Sequence, residues 1–274
     1  MFKDFELQGQ ETFQKGFRVL CAGAGTGSGC VYLAEQLNTT DAKIVYLDFS
    51  IASMRIAQER AAVRGLTNIA WHHNSIENLP SLGLGQFDLI SCTGVLHHLP
   101  DPQAGLNTLH ASLKPGGGMA LMLYTRTSRT GVYQLQQLMR FINAGVESRA
   151  AELQSLWPSL DSLLPAALLR RVPSMSAYWP RSIQPAAQRD QDIETYDLFC
   201  HKQDRAYSTP ELLEFIQNTN LKFVFESQGT LAYRFDTSIN GIVSHLDKKE
   251  RMEVADLIQG DAKNHNFYVI SEKV

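Results

Sequence analysis

The sequence predicts an α/β protein: a doubly wound, mostly parallel sheet of seven strands with a large helical insertion before the last two. Three observations lead there. Short β-rich runs alternate with helical patterns up to residue 125, which is the signature of βαβ units. A glycine-rich turn follows the first apolar run directly. Beyond Arg126 the strand runs stop, and helical segments broken by Pro158, Pro165, Pro173, Pro180 and Pro185 continue to about residue 220.

Taken in order, strands are expected over 17–22, 43–48, 69–73, 87–92 and 119–124. Helices are expected over 29–37, 51–64 and 102–113, the last one ended by Lys114-Pro115-Gly116-Gly117-Gly118. In the insertion, helices are expected over 131–144, 150–156, 159–171, 192–202 and 210–218. Ser208-Thr209 caps the last of them, with Pro210 in its first turn. Strand character returns at 221–226 and 266–271. The domain expectation is therefore a core of 1–125 plus 221–274 and a helical cap of 126–220.

Composition excludes several classes. With 44% hydrophobic and 19% charged residues, the 274-residue chain can bury an ordinary globular core. No apolar run reaches membrane-spanning length, and the start Met1-Phe2-Lys3-Asp4-Phe5-Glu6 lacks a signal-peptide pattern, so a cytoplasmic location is expected. A net charge of −3 speaks against a nucleic-acid partner. Cys21, Cys30, Cys92 and Cys200 have neither disulfide-framework nor zinc spacing. The pairs His72-His73 and His97-His98 are not read as metal ligands, because adjacent strand residues point to opposite faces and no carboxylate cluster accompanies them.

The chemistry concentrates where Val19-Leu20-Cys21 runs into Ala22-Gly23-Ala24-Gly25-Thr26-Gly27. Three alternate glycines permit backbone conformations and close approaches that a Cβ would block. Such a turn suits a nucleoside cofactor. A dinucleotide fingerprint wants a glycine where Ser28 or Cys30 stands, which disfavours a nicotinamide enzyme. Asp48 ends the next apolar strand, 21 residues after Gly27, where a carboxylate accepts both ribose hydroxyls and repels a 2′-phosphate.

The ordered set formed by the glycine turn, Asp48, Asn74-Ser75-Ile76-Glu77-Asn78-Leu79-Pro80, Phe87-Asp88-Leu89-Ile90, Val95-Leu96-His97-His98-Leu99 and Leu113-Lys114-Pro115-Gly116-Gly117 resembles the successive motifs of class I, Rossmann-like methyltransferases. Val95 to Pro102 and the stretch from Tyr196 to Glu211 further resemble a bacterial subgroup often fused to tetratricopeptide repeats; the sequence holds no such repeat. The resemblance implies S-adenosylmethionine as cofactor, bound by Ala22 to Gly27, Asp48, Phe49 against the adenine, Ser75 and Ile76, Thr93 and Gly94 near the methionine moiety, and His98. Two positions depart from the family pattern: Cys21 replaces the acid that usually closes the first strand, and Ser75 replaces an aspartate that meets the adenine amino group.

Methyl transfer needs in-line approach of a nucleophile, and a base only when that nucleophile arrives protonated. Candidates are His97, Tyr124, and His201 paired with Asp197 four residues earlier on an expected helix. Trp157, Tyr178, Trp179 and Tyr196 are candidate acceptor-pocket aromatics. The expected acceptor is a small molecule or peptide side chain held by the insertion. A cofactor-binding module without catalysis is the second reading, and a nicotinamide oxidoreductase the third.

Overall fold

A computed structural model describes residues 16–142, 144–145, 201, 203–226, 241–259 and 264–271. Seven strands form one sheet: β1 (Arg18–Ala22), β2 (Lys43–Asp48), β3 (Ile69–His73), β4 (Phe87–Thr93), β5 (Leu113–Tyr124), β6 (Leu221–Glu226) and β7 (Asn264–Ser271). Their spatial order is β3-β2-β1-β4-β5-β7-β6. The pairs β1–β2, β2–β3, β1–β4 and β4–β5 are parallel, and β6–β7 is antiparallel. The doubly wound, mostly parallel sheet is thus the one expected. Val19 to Ala22 and Ile44 to Asp48 are buried at every position, as strands covered on both faces must be.

Helices α1 (Ser28–Gln36), α2 (Ile51–Val63) and α3 (Pro102–Ala111) lie within two residues of their expected bounds. Their starts are chemically marked. Ser50 accepts the Ser53 N–H at 3.2 Å, and Asp101 accepts the Ala104 N–H at 2.9 Å, with Pro102 following at the first helical position. Leu33, Ala34 and Leu37 of α1 and its end pack with Val19, Cys21, Ile44 and Tyr46 in one apolar cluster.

Strand β5 corrects the sequence reading. Lys114 to Gly118 continues the strand instead of ending α3 in a turn, because a bulge absorbs the glycines: register shifts between Phe87 and Leu89, and Gly116 has φ +75°. A Cβ on Gly117 would lie 2.9 Å from the Lys114 carbonyl oxygen, so glycine is required there. Asp88 anchors this edge. One carboxylate oxygen accepts the Arg18 N–H at 2.8 Å, and both accept from Lys114 Nζ, at 2.8 and 2.7 Å.

The chain divides into two compact units. One comprises Met1–Leu123, Glu214–Ser227 and Asn266–Val274, and the other Tyr124–Leu213 and Gln228–His265. Asp256, on helix α6 (Lys248–Gln259), accepts the backbone N–H of Thr209 at 2.7 Å and its hydroxyl as well, at the start of α5 (Thr209–Gln217). Helix α6 was not expected at all.

In this second unit α4 (Arg126–Ile142) begins five residues earlier than expected. Arg129, on its first turns, pairs with the buried carboxylate of Asp204 at 2.9 Å; Tyr133 Oη donates to the same carboxylate at 3.1 Å and Gln136 Nε2 at 3.3 Å. Three donors from one helix thus share this buried carboxylate, which offsets part of the cost of burying its charge. The expected helices over 150–156, 159–171 and most of 192–202 lie outside the described residues. Among the described residues no helix is long and apolar enough to cross a membrane.

Candidate functional site

Strand order reverses at β1: the chain leaves it for β2 and β3 on one side and returns to β4 on the other. In open α/β sheets the crevice at the carboxyl ends of such strands is the ligand site. The glycine turn occupies that position. Gly23, Gly25 and Gly27 have φ of +65°, +53° and +84°, a region that L side chains enter only with strain. Two of the three are also sterically enforced. A Cβ on Gly23 would meet Val95 Cγ2 at 2.4 Å, and one on Gly27 would meet Ala57 Cβ at 2.5 Å. At Gly25 nothing lies within 4 Å, so the space beside this residue is open.

Asp48 is tied directly to this turn. Its Oδ2 accepts the Gly25 N–H at 2.7 Å and its Oδ1 accepts the Ser50 N–H at 2.8 Å. The carboxylate is only 6% exposed, yet each oxygen keeps a lone pair for a further donor. Gly23 and Ala24 in turn donate to the Leu47 carbonyl at 2.8 and 3.1 Å. The expected cofactor residues Gly23, Ala24, Gly25 and Asp48 are thus brought together by hydrogen bonds of the turn to the end of β2, while Ala22 ends β1. Gly27 starts α1 as its N-cap, and Thr26 is fastened by Arg60 of α2.

Beside Asp48, Phe49 projects with 77% of its surface exposed, an unusual state for a phenylalanine and one that suits stacking on a flat ligand. His73 Nε2 lies 2.7 Å from the Phe49 carbonyl oxygen. Ser75 opens a 3-10 turn (Ile76–Leu82) in which Ile76 is buried. The Ser75 N–H donates to Asn74 Oδ1 at 2.9 Å, so this backbone donor turns inward.

Thr93 ends β4 exposed, and Gly94, at φ +75°, donates to the Met122 carbonyl at 3.2 Å. His97 and His98 follow in a 3-10 turn (Leu96–His98), their rings edge to face at 4.2 Å; His97 is 1% exposed and His98 half-buried. In the second unit Tyr124 is buried, with the Arg129 guanidinium 3.5 Å over its ring. His201 lies in non-helical backbone, and its Nδ1 accepts the Gln203 N–H at 3.2 Å. The expected helical pairing of His201 with Asp197 falls partly outside the described residues, as do Trp157, Tyr178, Trp179 and Tyr196.

Cys21, standing where the family has an acid, is buried. A hydrogen bond with Cys30 of α1, and then burial, hold its thiol well above the ordinary range, while burial pushes Cys92 up to about 12. Uncharged thiols enclosed in this way react slowly. Iodoacetamide at pH 8 is expected to label none of Cys21, Cys30 and Cys92 in the folded chain and all three after denaturation. Labelling of Cys21 in the native protein, read by mass spectrometry, would show that the turn opens.

Comparison with known proteins agrees with this geometry. Residues 20–119 match the family described as a methyltransferase domain. Over 268 residues the chain is 30% identical to an uncharacterized protein of Synechococcus sp., covering 92% of this chain and 60% of that one. Over 120 residues it is 26% identical to the ubiquinone biosynthesis O-methyltransferase of Acinetobacter baylyi, covering 44% and 49% respectively. The chain therefore spans about half the length of the curated relatives it matches. Among solved structures, PKMT2 from Rickettsia typhi superposes with a TM-score of 0.69 at 15% identity, covering 97% of this chain and 51% of that one. The plantazolicin methyltransferase BamL gives 0.51 at 13%, covering 94% and 77%. Residues 20–119 are thus similar to a methyltransferase domain, and the sheet that carries them has the Rossmann-like fold of these solved structures.

Proposed function

We propose that the chain is an S-adenosylmethionine-dependent methyltransferase acting on an oxygen, nitrogen or carbon nucleophile of a small molecule or peptide side chain. The observation that carries this is Asp48: a buried carboxylate at the switch point, held by the glycine turn, with acceptor capacity left for a ribose diol. The surrounding residues fit the rest of the cofactor. Phe49 offers an exposed ring for the adenine, the open side of Gly25 admits a ligand where a side chain would block it, and Thr93 and Gly94 close the β4 side.

When bound, the cofactor supplies an electrophilic methyl group on a sulfonium. The chain's own contribution is then placement, since in-line alignment supplies much of such a rate. The acceptor is assigned to the 126–220 insertion. His201 with Asp197, His97 and Tyr124 are the groups proposed to receive a proton from a hydroxyl or ammonium acceptor. Of these, the burial of His97 and the cation stacked on Tyr124 support packing as their first role. Support for an O-linked acceptor comes from the ubiquinone biosynthesis O-methyltransferases among the relatives. PKMT2 from Rickettsia typhi is also known in complex with AdoHcy. A cytoplasmic site of action belongs to the same proposal.

The test is incubation with methyl-labelled S-adenosylmethionine and panels of phenols, amines and peptides, with S-adenosylhomocysteine release as the signal. Turnover with any panel supports the proposal. Cofactor binding without turnover by any acceptor favours the non-catalytic module, for which Cys21 and Ser75 are the sequence arguments. Ser75→Asp is expected to tighten cofactor binding about tenfold, the worth of one charge-assisted hydrogen bond to the adenine amine. Unchanged affinity in a calorimetric titration would show that the adenine lies elsewhere.

A further inference from the structure

Two residues that no motif singles out converge on the glycine turn. Tyr46 and Asp48 stand two apart on β2, so their side chains leave the same face of the strand and reach the same residue. Asp48 holds the Gly25 N–H, and the Tyr46 hydroxyl donates to the Gly25 carbonyl at 2.6 Å. The ring of Tyr46 is fully buried, 4.9 Å from that of Trp71. From the other side Arg60, on α2, places Nη1 3.0 Å from the Thr26 carbonyl, 3.1 Å from Thr26 Oγ1 and 3.0 Å from Ser28 Oγ. Two further carbonyls of the turn are held by backbone: Ala24 accepts from Gly27 N–H at 2.9 Å and Gly27 from Val31 N–H at 2.7 Å.

All four carbonyls from Ala24 to Gly27 are therefore bound to protein donors, and two of those donors are side chains. A glycine-rich turn left to itself samples many conformations, because glycine has the widest backbone freedom and loses the most on ordering. We infer that Tyr46 and Arg60 are positioning residues for the cofactor turn: they fix the Gly25 and Thr26 peptides in the one orientation that leaves the turn open beside Gly25 and Asp48 aligned. Burial, then the charge of Asp48, keep the Tyr46 hydroxyl protonated and therefore a donor at any working pH. The inference rests on the cofactor reading above, because fixing the turn matters only if a ligand binds there.

Preorganisation lowers the ordering cost of binding, so its loss appears in affinity. Tyr46→Phe removes one oxygen and keeps the ring against Trp71. Arg60→Gln removes the guanidinium from a partly exposed position on α2, where a change leaves the core intact. Each variant is expected to weaken S-adenosylhomocysteine binding about fivefold to tenfold in calorimetric titration, a loss on the scale of one hydrogen bond. The unliganded melting temperature of Arg60→Gln is expected to stay close to that of the unaltered chain, and Arg60→Lys, which keeps a cationic donor group, to recover part of the lost affinity. A purely structural role would instead lower the melting temperature and leave affinity unchanged at temperatures well below it. Binding by the unaltered chain with affinity in both variants within twofold of it overturns this inference alone. Absence of binding by the unaltered chain overturns the cofactor reading and this inference together.

Discussion

Asp48→Ala is expected to reduce S-adenosylhomocysteine affinity about a hundredfold or more, because charge-assisted hydrogen bonds contribute roughly 1.5–3 kcal/mol each and this carboxylate would make two to the ribose. The expectation is this large because the same side chain also shapes the site. Its oxygens hold the Gly25 N–H at 2.7 Å and the Ser50 N–H at 2.8 Å, so removing them frees the turn on one side and the start of α2 on the other. Asp48→Asn separates the contributions. An amide keeps one acceptor oxygen but turns an NH2 group toward a backbone donor, so a loss of about tenfold to thirtyfold is expected, between the two extremes. Calorimetric titration reads both variants, with circular dichroism confirming the fold. Affinity within threefold of the unaltered chain in Asp48→Ala would remove Asp48 from the site.

The second large effect separates stability from binding within one turn. Gly27→Ala places a methyl group 2.5 Å from Ala57 Cβ and 3.1 Å from its Cα, and backbone cannot yield as a flexible side chain would. Adding the cost of a left-handed conformation to that of overpacking gives roughly 2–5 kcal/mol, or a melting temperature about 5–15 °C lower. Gly25→Ala meets nothing within 4 Å and carries only the conformational cost, about 1–2 kcal/mol. Its methyl group, however, enters the open side of the turn, so cofactor affinity is expected to fall while the fold stays nearly intact. Thermal melts alongside titrations check the pair. Equal melting temperatures for the two variants, or unimpaired binding by Gly25→Ala, would contradict the geometry.

The parts of this protein legible in its sequence are those with local signals. Apolar runs of strand length, the Ser208-Thr209 cap with Pro210 after it, the alternate glycines and the acid ending β2 each declare themselves within a few residues. What escaped were contacts formed across the fold. Tyr46 and Arg60 look like an ordinary strand tyrosine and helix arginine until β2 and α2 are set beside the turn, 21 and 34 residues away in sequence. The one available hint was that Tyr46 shares a strand face with Asp48. Cys21 likewise reads as a departure from the family pattern, and only the packing of α1 against β1 shows that Cys30 meets it.

Two misreadings have physical causes of their own. Lys114-Pro115-Gly116-Gly117-Gly118 carries every mark of a turn, and the bulge opposite Phe87 to Leu89 turned it into strand. Helix α6 has a run of charges, Lys248-Lys249-Glu250-Arg251, that hides a thin apolar stripe, and the bond from Thr209 to Asp256 joins residues 47 apart in sequence.

The most direct measurement is titration of S-adenosylmethionine, S-adenosylhomocysteine and reduced nicotinamide adenine dinucleotide into the full chain. A cofactor cradle built on Asp48 and the Gly23–Gly27 turn predicts saturable binding of both sulfur compounds in the micromolar range and none of the nicotinamide. Binding of the nicotinamide with neither sulfur compound retained would contradict it.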